Sequence, residues 1–201
     1  MLTTLFGLQP TKIASAITSS LIKLPINATI QLETITTTTI ETTTKLEEVR
    51  VNMAEMKAEH KPVELVTSVG SCVAICLHDS VNMCGGLAHI MLPRSAIAPQ
   101  EPLPAKFADT AVPALAKAVR KLSGRDARLS AKIAGGANMF PNMNALNIGI
   151  KNIDAVKAAL ADHKIRLIAE DVGGSHGRRI TFDVGTGIAT VKRFNGAVTK
   201  L

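Results

Sequence analysis

From residue 63 onward the apolar and polar positions recur with short, readable periods, whereas before residue 52 they do not. The stretch VELVTSV (63–69) reads as a strand and is broken by Gly70. Residues 72–77 and 86–92 are apolar runs separated by HDSVNMCG, whose Asp, Ser, Asn and Gly are turn formers, so the two runs predict the arms of one hairpin. In FADTAVPALAKAVRKL (107–122) the apolar positions Val112, Leu115, Val119 and Leu122 have helical spacing, and Pro113 sits early, where a first turn tolerates it. ARLSAKIA (127–134) predicts a strand ending at Gly135-Gly136. Residues 150–162 predict a second helix, with Asn152 as its N-cap and Asp154 in the first turn. KIRLIAEDV (164–172) predicts a further strand, and 179–183 with 188–194 a closing hairpin around Gly185-Thr186-Gly187. Strands outnumber helices and most are joined by short turns. This pattern predicts an α+β fold with mixed sheets, not a doubly wound parallel sheet.

The N-terminal quarter carries no such pattern. TITTTTIETTT (34–44) holds eight threonines in eleven positions, which suits neither a helix nor a half-buried strand. The first thirty residues contain Lys12 and Lys23, many Ser and Thr, and no acidic residue, a composition shared with organelle transit sequences. We expect residues 1–52 to be a Thr-rich appendage, either a disordered extension or upstream sequence read from a mis-set start, because MAEMKAEHKPVELV from Met53 opens conventionally. The folding domain is expected to be 53–201.

Composition narrows the function classes. Hydrophobic residues make up 46% of the 201, but aromatics only 2%, without Trp or Tyr, so the stacking platforms of single-stranded nucleic-acid binders are missing. The net charge of +7 comes from scattered Lys and Arg that form no DNA-reading patch. It fits either an acidic partner or a solvated surface. Three cysteines cannot all pair within the chain, which points to free thiols and a reducing, cytoplasmic setting. No apolar stretch approaches the ~20 residues of a spanning helix, so no membrane insertion is expected.

Chemistry concentrates in VGSCVAICLHDSVNMCGGLAHIMLP (69–93). With the predicted turn centred near residue 81, opposed residues have numbers summing to about 162, which sets His89 opposite or diagonal to Cys72. An imidazole beside a thiol favours the thiolate, the nucleophilic form. Gly70 and Ser71 bend the chain ahead of the cysteine and leave backbone N–H groups free to hold an oxyanion. Thr67 is the nearest group that could fix the imidazole, with Ser68 a weaker choice. The opposing reading is equally physical, since a free cysteine commonly packs as a small buried hydrophobe. For Cys76 that reading prevails. It lies about 13 Å from Cys72 along an all-apolar strand, which also argues against a zinc site made of Cys72, Cys76, Cys84 and His89. His78 and Cys84 flank the turn and are expected half-exposed, while His60 and His163 are expected on the surface. The glycine clusters AGGANMF (134–140) and DVGGSHGRR (171–179) lack the spacing of phosphate-binding loops and are read as tight bends. His176 and Arg178 on the second bend would line a pocket or, more simply, face solvent.

Six ordered segments then carry a resemblance: TSVGSCVAICLHD, GGLAHIMLPRS, KFADTAVPALAKAV, AKIAGGANMF, NIGIKN and AEDVGGSHGRRITFDVGTG. Together, and with Gly-Ser-Cys followed seventeen residues later by His, the chain resembles the CheD family of chemoreceptor glutamine deamidases over nearly all of 62–194. The resemblance implies a layered sandwich of mixed β-sheets with flanking helices, similar to toxin-type cysteine deamidases. It implies hydrolysis of receptor glutamine side chains to glutamate by a Cys-His-Thr triad, without metal or cofactor. Cys72 and His89 fall on the motif. Thr67 matches one of two spacings in the family, Val66 occupying the longer. The implied partners are a chemoreceptor cytoplasmic domain as substrate and a CheC-type response-regulator phosphatase. That second partner raises the alternative of a regulatory binding module, and a redox-sensing thiol protein is a third reading.

Overall fold

The computed structural model describes residues 46–60, 62–97, 103–124, 127–139 and 147–201. All of these fall in one compact unit, Thr44–Leu201. The readings of residues 1–45 lie outside the described residues.

Among the described residues, ten strands form two five-stranded sheets. The first has the order β1-β3-β8-β9-β10, built from β1 (Glu47–Arg50), β3 (Val63–Val69), β8 (Arg178–Asp183), β9 (Ala189–Arg193) and β10 (Val198–Lys200). The second has the order β2-β5-β4-β6-β7, from β2 (Met56–His60), β5 (Cys84–Ile90), β4 (Val73–Asp79), β6 (Leu129–Gly135) and β7 (Arg166–Val172). Each sheet contains one parallel pair, β1 with β3 and β6 with β7. Among the described residues two α-helices, α1 (Ala108–Ser123) and α2 (Ile148–Asp162), complete the α+β sandwich.

The second sheet is the middle layer. One face of β4, carrying Val73, Ile75 and Leu77, packs with Val112, Leu115 and Val119 of α1 and with Ile153 and Val156 of α2. The other face, carrying Ala74 and Cys76, packs against Leu65, Ile180 and Phe182 of the first sheet. Every residue of β4 and β5 is therefore buried, which explains why these strands read as continuous apolar runs and not as alternation. Gly85 and Gly86 serve this closeness. A Cβ on Gly86 would stand 2.7 Å from Leu115 Cδ1, and one on Gly85 2.9 Å from Phe182 Cε1.

The helix at 107–122 and the strands at 63–69, 127–134, 164–172 and 179–183 are found within two residues of the expected bounds. The first sheet draws on residues ahead of Met53: β1 pairs in parallel with β3, and Val51 is buried. Two expectations need correction. Asn152 is not an N-cap; α2 begins at Ile148, after Asn147, and Asn152 is wholly buried one turn further in. His78 and Cys84 are buried, not half-exposed, because His78 packs against Phe182 of β8 and Val184 just after it, and Cys84 against Ser123 of α1, although the turn between them is exposed. His60 and His163 are exposed, as expected.

Candidate functional site

The hairpin register decides whether the cysteine and the histidine can meet. Val73 pairs with Ile90 and Ala74 with His89, so opposed numbers sum to 163. Continuing the ladder one residue sets Cys72 opposite Met91 and His89 on the diagonal, a Cα separation of roughly 7–8 Å. Side chains two apart on a strand share a face. Cys72 thus lies on the side of Ala74, and His89, opposite Ala74, lies on the side of Leu87. That common face is the one turned toward the first sheet, and Cys72 packs against its cluster. Thr67 enters from β3 on the same side as Leu65 and Val69.

His89 is held from several directions. Its backbone N–H donates to the Glu55 carbonyl at 2.9 Å, and its carbonyl accepts from the Ala54 N–H at 3.0 Å. Its ring Nδ1 lies 2.8 Å from Thr67 Oγ1, and Thr67 Oγ1 donates at 2.8 Å to the Val51 carbonyl. A hydroxyl has one hydrogen, and a carbonyl can only accept. With that hydrogen committed to Val51, Thr67 must accept from His89, so Nδ1 carries the ring proton. The lone pair is left on Nε2, which is buried and has no partner among the described residues. Ser68 is exposed and Val66 is buried, so it is Thr67 that reaches the imidazole.

The loop before Cys72 is fixed by its carbonyls. Gly70 O accepts from Ala137 N–H and Cys72 O from Gly136 N–H, both at 2.8 Å, while Ser71 O accepts from Asn152 Nδ2 at 3.0 Å. Among the described residues the N–H groups of Ser71 and Cys72 have no carbonyl partner. Gly135 and Gly136, at φ +124° and +66°, make this approach possible, since a Cβ on Gly135 would collide with the Cys72 carbonyl. The glycine cluster shapes the loop, as its spacing suggested.

Electrostatics favour neutral partners at rest. Burial pushes the Cys72 thiol above its ordinary value, with its own backbone N–H acting in the opposite sense. Burial likewise lowers His89. The resting pair is therefore thiol and imidazole, in contrast to the thiolate expected from the pairing alone. Cys76, fully enclosed, is pushed up to about 12. A cleft of about 170 Å³ opens at Thr67 and His89, with Arg50, Asn52, Met53 and Arg179 on its walls; Cys72 is not among them. Among the described residues no group of three or more His, Cys, Asp or Glu side chains is arranged to hold a metal ion, and no helix is long and apolar enough to cross a membrane.

Sequence reasoning missed three contributors. Val51 acts through a backbone carbonyl, which any residue would offer. Asn152 acts from a helix interior. Arg178 was expected at the surface but is buried, bonded to the carbonyls of Gly135, Asp171 and Gly173 and paired with Asp171 at 3.2 Å. It braces the loops behind Gly135. His176, by contrast, is exposed.

Comparison with known proteins gives one consistent result. The family model for CheD chemotactic sensory transduction matches residues 91–193. A probable chemoreceptor glutamine deamidase CheD of Desulforamulus reducens is 42% identical over 149 residues, covering 72% of this chain and 90% of the relative. The chemoreceptor glutamine deamidase CheD of Thermotoga maritima is 41% identical over 147 residues, covering 73% and 92%. A probable one from Methanococcus vannielii is 44% identical over 147 residues, covering 73% and 95%. A match covering 72% of a 201-residue chain necessarily spans Thr67 to His89.

Proposed function

The chain belongs to the CheD family, and from that premise we propose that it deamidates chemoreceptor glutamine side chains to glutamate, with Cys72 as nucleophile, His89 as general base and acid, and Thr67 as the residue that fixes the imidazole. The single observation that carries the assignment of roles is the Val51–Thr67–His89 chain, which leaves a bare Nε2 on the face shared with Cys72.

The reaction follows from the resting state. As the Cys72 sulfur attacks the carboxamide carbon, its proton passes to His89 Nε2 and the carbonyl oxygen becomes an oxyanion. The N–H groups of Ser71 and Cys72 are the donors available to it, and Gly70 gives the loop room, since a Cβ there would strike the Met139 sulfur. Collapse breaks the C–N bond, and the proton held on Nε2 leaves with the nitrogen as ammonia. Water, deprotonated by the same nitrogen, then attacks the thioester and returns a glutamate side chain and the Cys72 thiol. A neutral imidazole is the form this route needs, and burial maintains it.

The substrate is the cytoplasmic domain of the receptor, and the free cysteines suit that reducing compartment. Binding to a CheC-type phosphatase is a separable second role in this reading. The test is ammonia release from a purified receptor cytoplasmic domain, with glutamine-to-glutamate conversion followed by mass spectrometry. Cys72→Ala is expected to abolish both signals, and activity that survives it would remove the nucleophile assignment.

A further inference from the structure

The ladder between β4 and β5 ends at Val73 and Ile90, and immediately beyond it the two chains are joined by a side chain. Asn152 Nδ2 donates to Ser71 O at 3.0 Å and to Met91 O at 2.9 Å. Ser71 precedes Cys72, and Met91 is the residue that a continued ladder would set opposite it. The amide therefore stands where the next rung would be. Both contacts are carbonyl oxygens, so the NH2 end of the amide must face them.

Two observations show that packing alone does not account for this residue. Asn152 is wholly buried in the helix face that otherwise carries Ile153, Val156 and Leu160. Its Oδ1 is buried without a partner among the described residues, which is costly for a polar atom. Its place depends on close backbone contact: a Cβ on Gly136 would strike Ile153, and one on Gly149 would lie 2.5 Å from Gly136 O.

We propose that Asn152 is a positioning residue for the oxyanion site, acting through the Ser71–Cys72 peptide. A trans peptide is planar, with its C=O and N–H pointing in opposite directions. Drawing the Ser71 carbonyl toward α2 turns the Cys72 N–H away from the helix layer, to the side of the cysteine's own sulfur. That this N–H reaches the sulfur is consistent with its lowering influence on the thiol. The inference rests on the deamidase reading above and assigns Asn152 no contact with substrate.

The test separates two reactions of one sulfur. Deamidation develops charge on a carbonyl oxygen, whereas alkylation by iodoacetamide forms an S–C bond as iodide leaves and needs no oxyanion donor. In Asn152→Leu, kcat for ammonia release from the receptor domain is expected to fall about 10- to 100-fold, because a donor is misdirected and not deleted. KM and the alkylation rate, mapped to Cys72 by mass spectrometry, should stay within about twofold. Asn152→Ala, which removes the same donors without adding bulk, should behave alike if Leu proves too large. Unchanged deamidation in a folded variant would overturn the proposal, as would deamidation and alkylation falling together in both variants. Deamidation that survives Cys72→Ala would instead overturn the underlying reading, and the proposal with it.

Discussion

The β4–β5 hairpin carries a cysteine and a histidine at each end, and the two pairs are arranged differently. At the turn end, His78 follows the face of Ala74 and Cys76, toward the first sheet, where it meets the Phe182 ring edge-on. Cys84 opposes Asp79 and faces the helices. The two side chains are thus on opposite sides of the sheet, and each is occupied: His78 Nε2 lies 3.0 Å from Val184 O, and Cys84 Sγ 2.7 Å from Ser123 Oγ. At the open end, Cys72 and His89 share a face, and the ring nitrogen that could take a proton is unpartnered among the described residues. Residue types are identical at the two ends. Strand parity and an uncommitted lone pair make the difference.

The comparison predicts a graded response. His89→Ala should lower kcat by about 10²- to 10⁴-fold, the usual worth of a general acid–base group, while His78→Ala should change it by no more than about twofold. Equal losses from both would break the distinction. Thr67→Val keeps the shape but removes the acceptor for Nδ1–H, and about a 10- to 100-fold loss is expected, with Thr67→Ser recovering most of it. A chain begun at Met53 lacks β1 and the Val51 carbonyl, so its activity should fall more than that of a chain begun at Thr44. Equal activities would show that the Thr67 hydroxyl is fixed by other means.

The pH profile tests the resting state. His89 titrates below its ordinary 6.5, so the acid limb of kcat/KM should lie below that value, and stability contributed by the neutral ring should be lost as pH falls below 6.5. The Cys72 thiol titrates above its ordinary 9.0, so its alkylation rate should still be rising above pH 9. A plateau near neutrality would mean a standing thiolate. The smallest effect is expected at Cys84→Ala, with unchanged turnover and about 1 kcal/mol of stability lost with its bond to Ser123.

Much of this arrangement was legible in the chain. A palindrome-like placing of two apolar runs about one turn is enough to set Cys72 diagonal to His89, because antiparallel pairing converts numbering into adjacency. The burial of β4 and β5 on both faces explains their unbroken apolar runs. What escaped reading has physical causes too. EEVR in β1 is an edge strand with three exposed residues, so it carries no alternation to detect. Asn152 resembles a cap because polar residues near helix starts usually are caps, and its partners lie 61 and 81 residues away. Arg178 resembles surface because its buried ion partner, Asp171, sits on another strand. The Val51 carbonyl is chemically anonymous in any sequence.

The hydroxyl behind His89 carries no formal charge. A carboxylate in its place would steady an imidazolium and keep the sulfur permanently armed, exposed to every passing peroxide or electrophile. With Thr67 there, ionisation has little to sustain it between turnovers. Under the proposed mechanism the idle protein should therefore be chemically quiet, the Cys72 sulfur called up by the bound amide and not armed in advance.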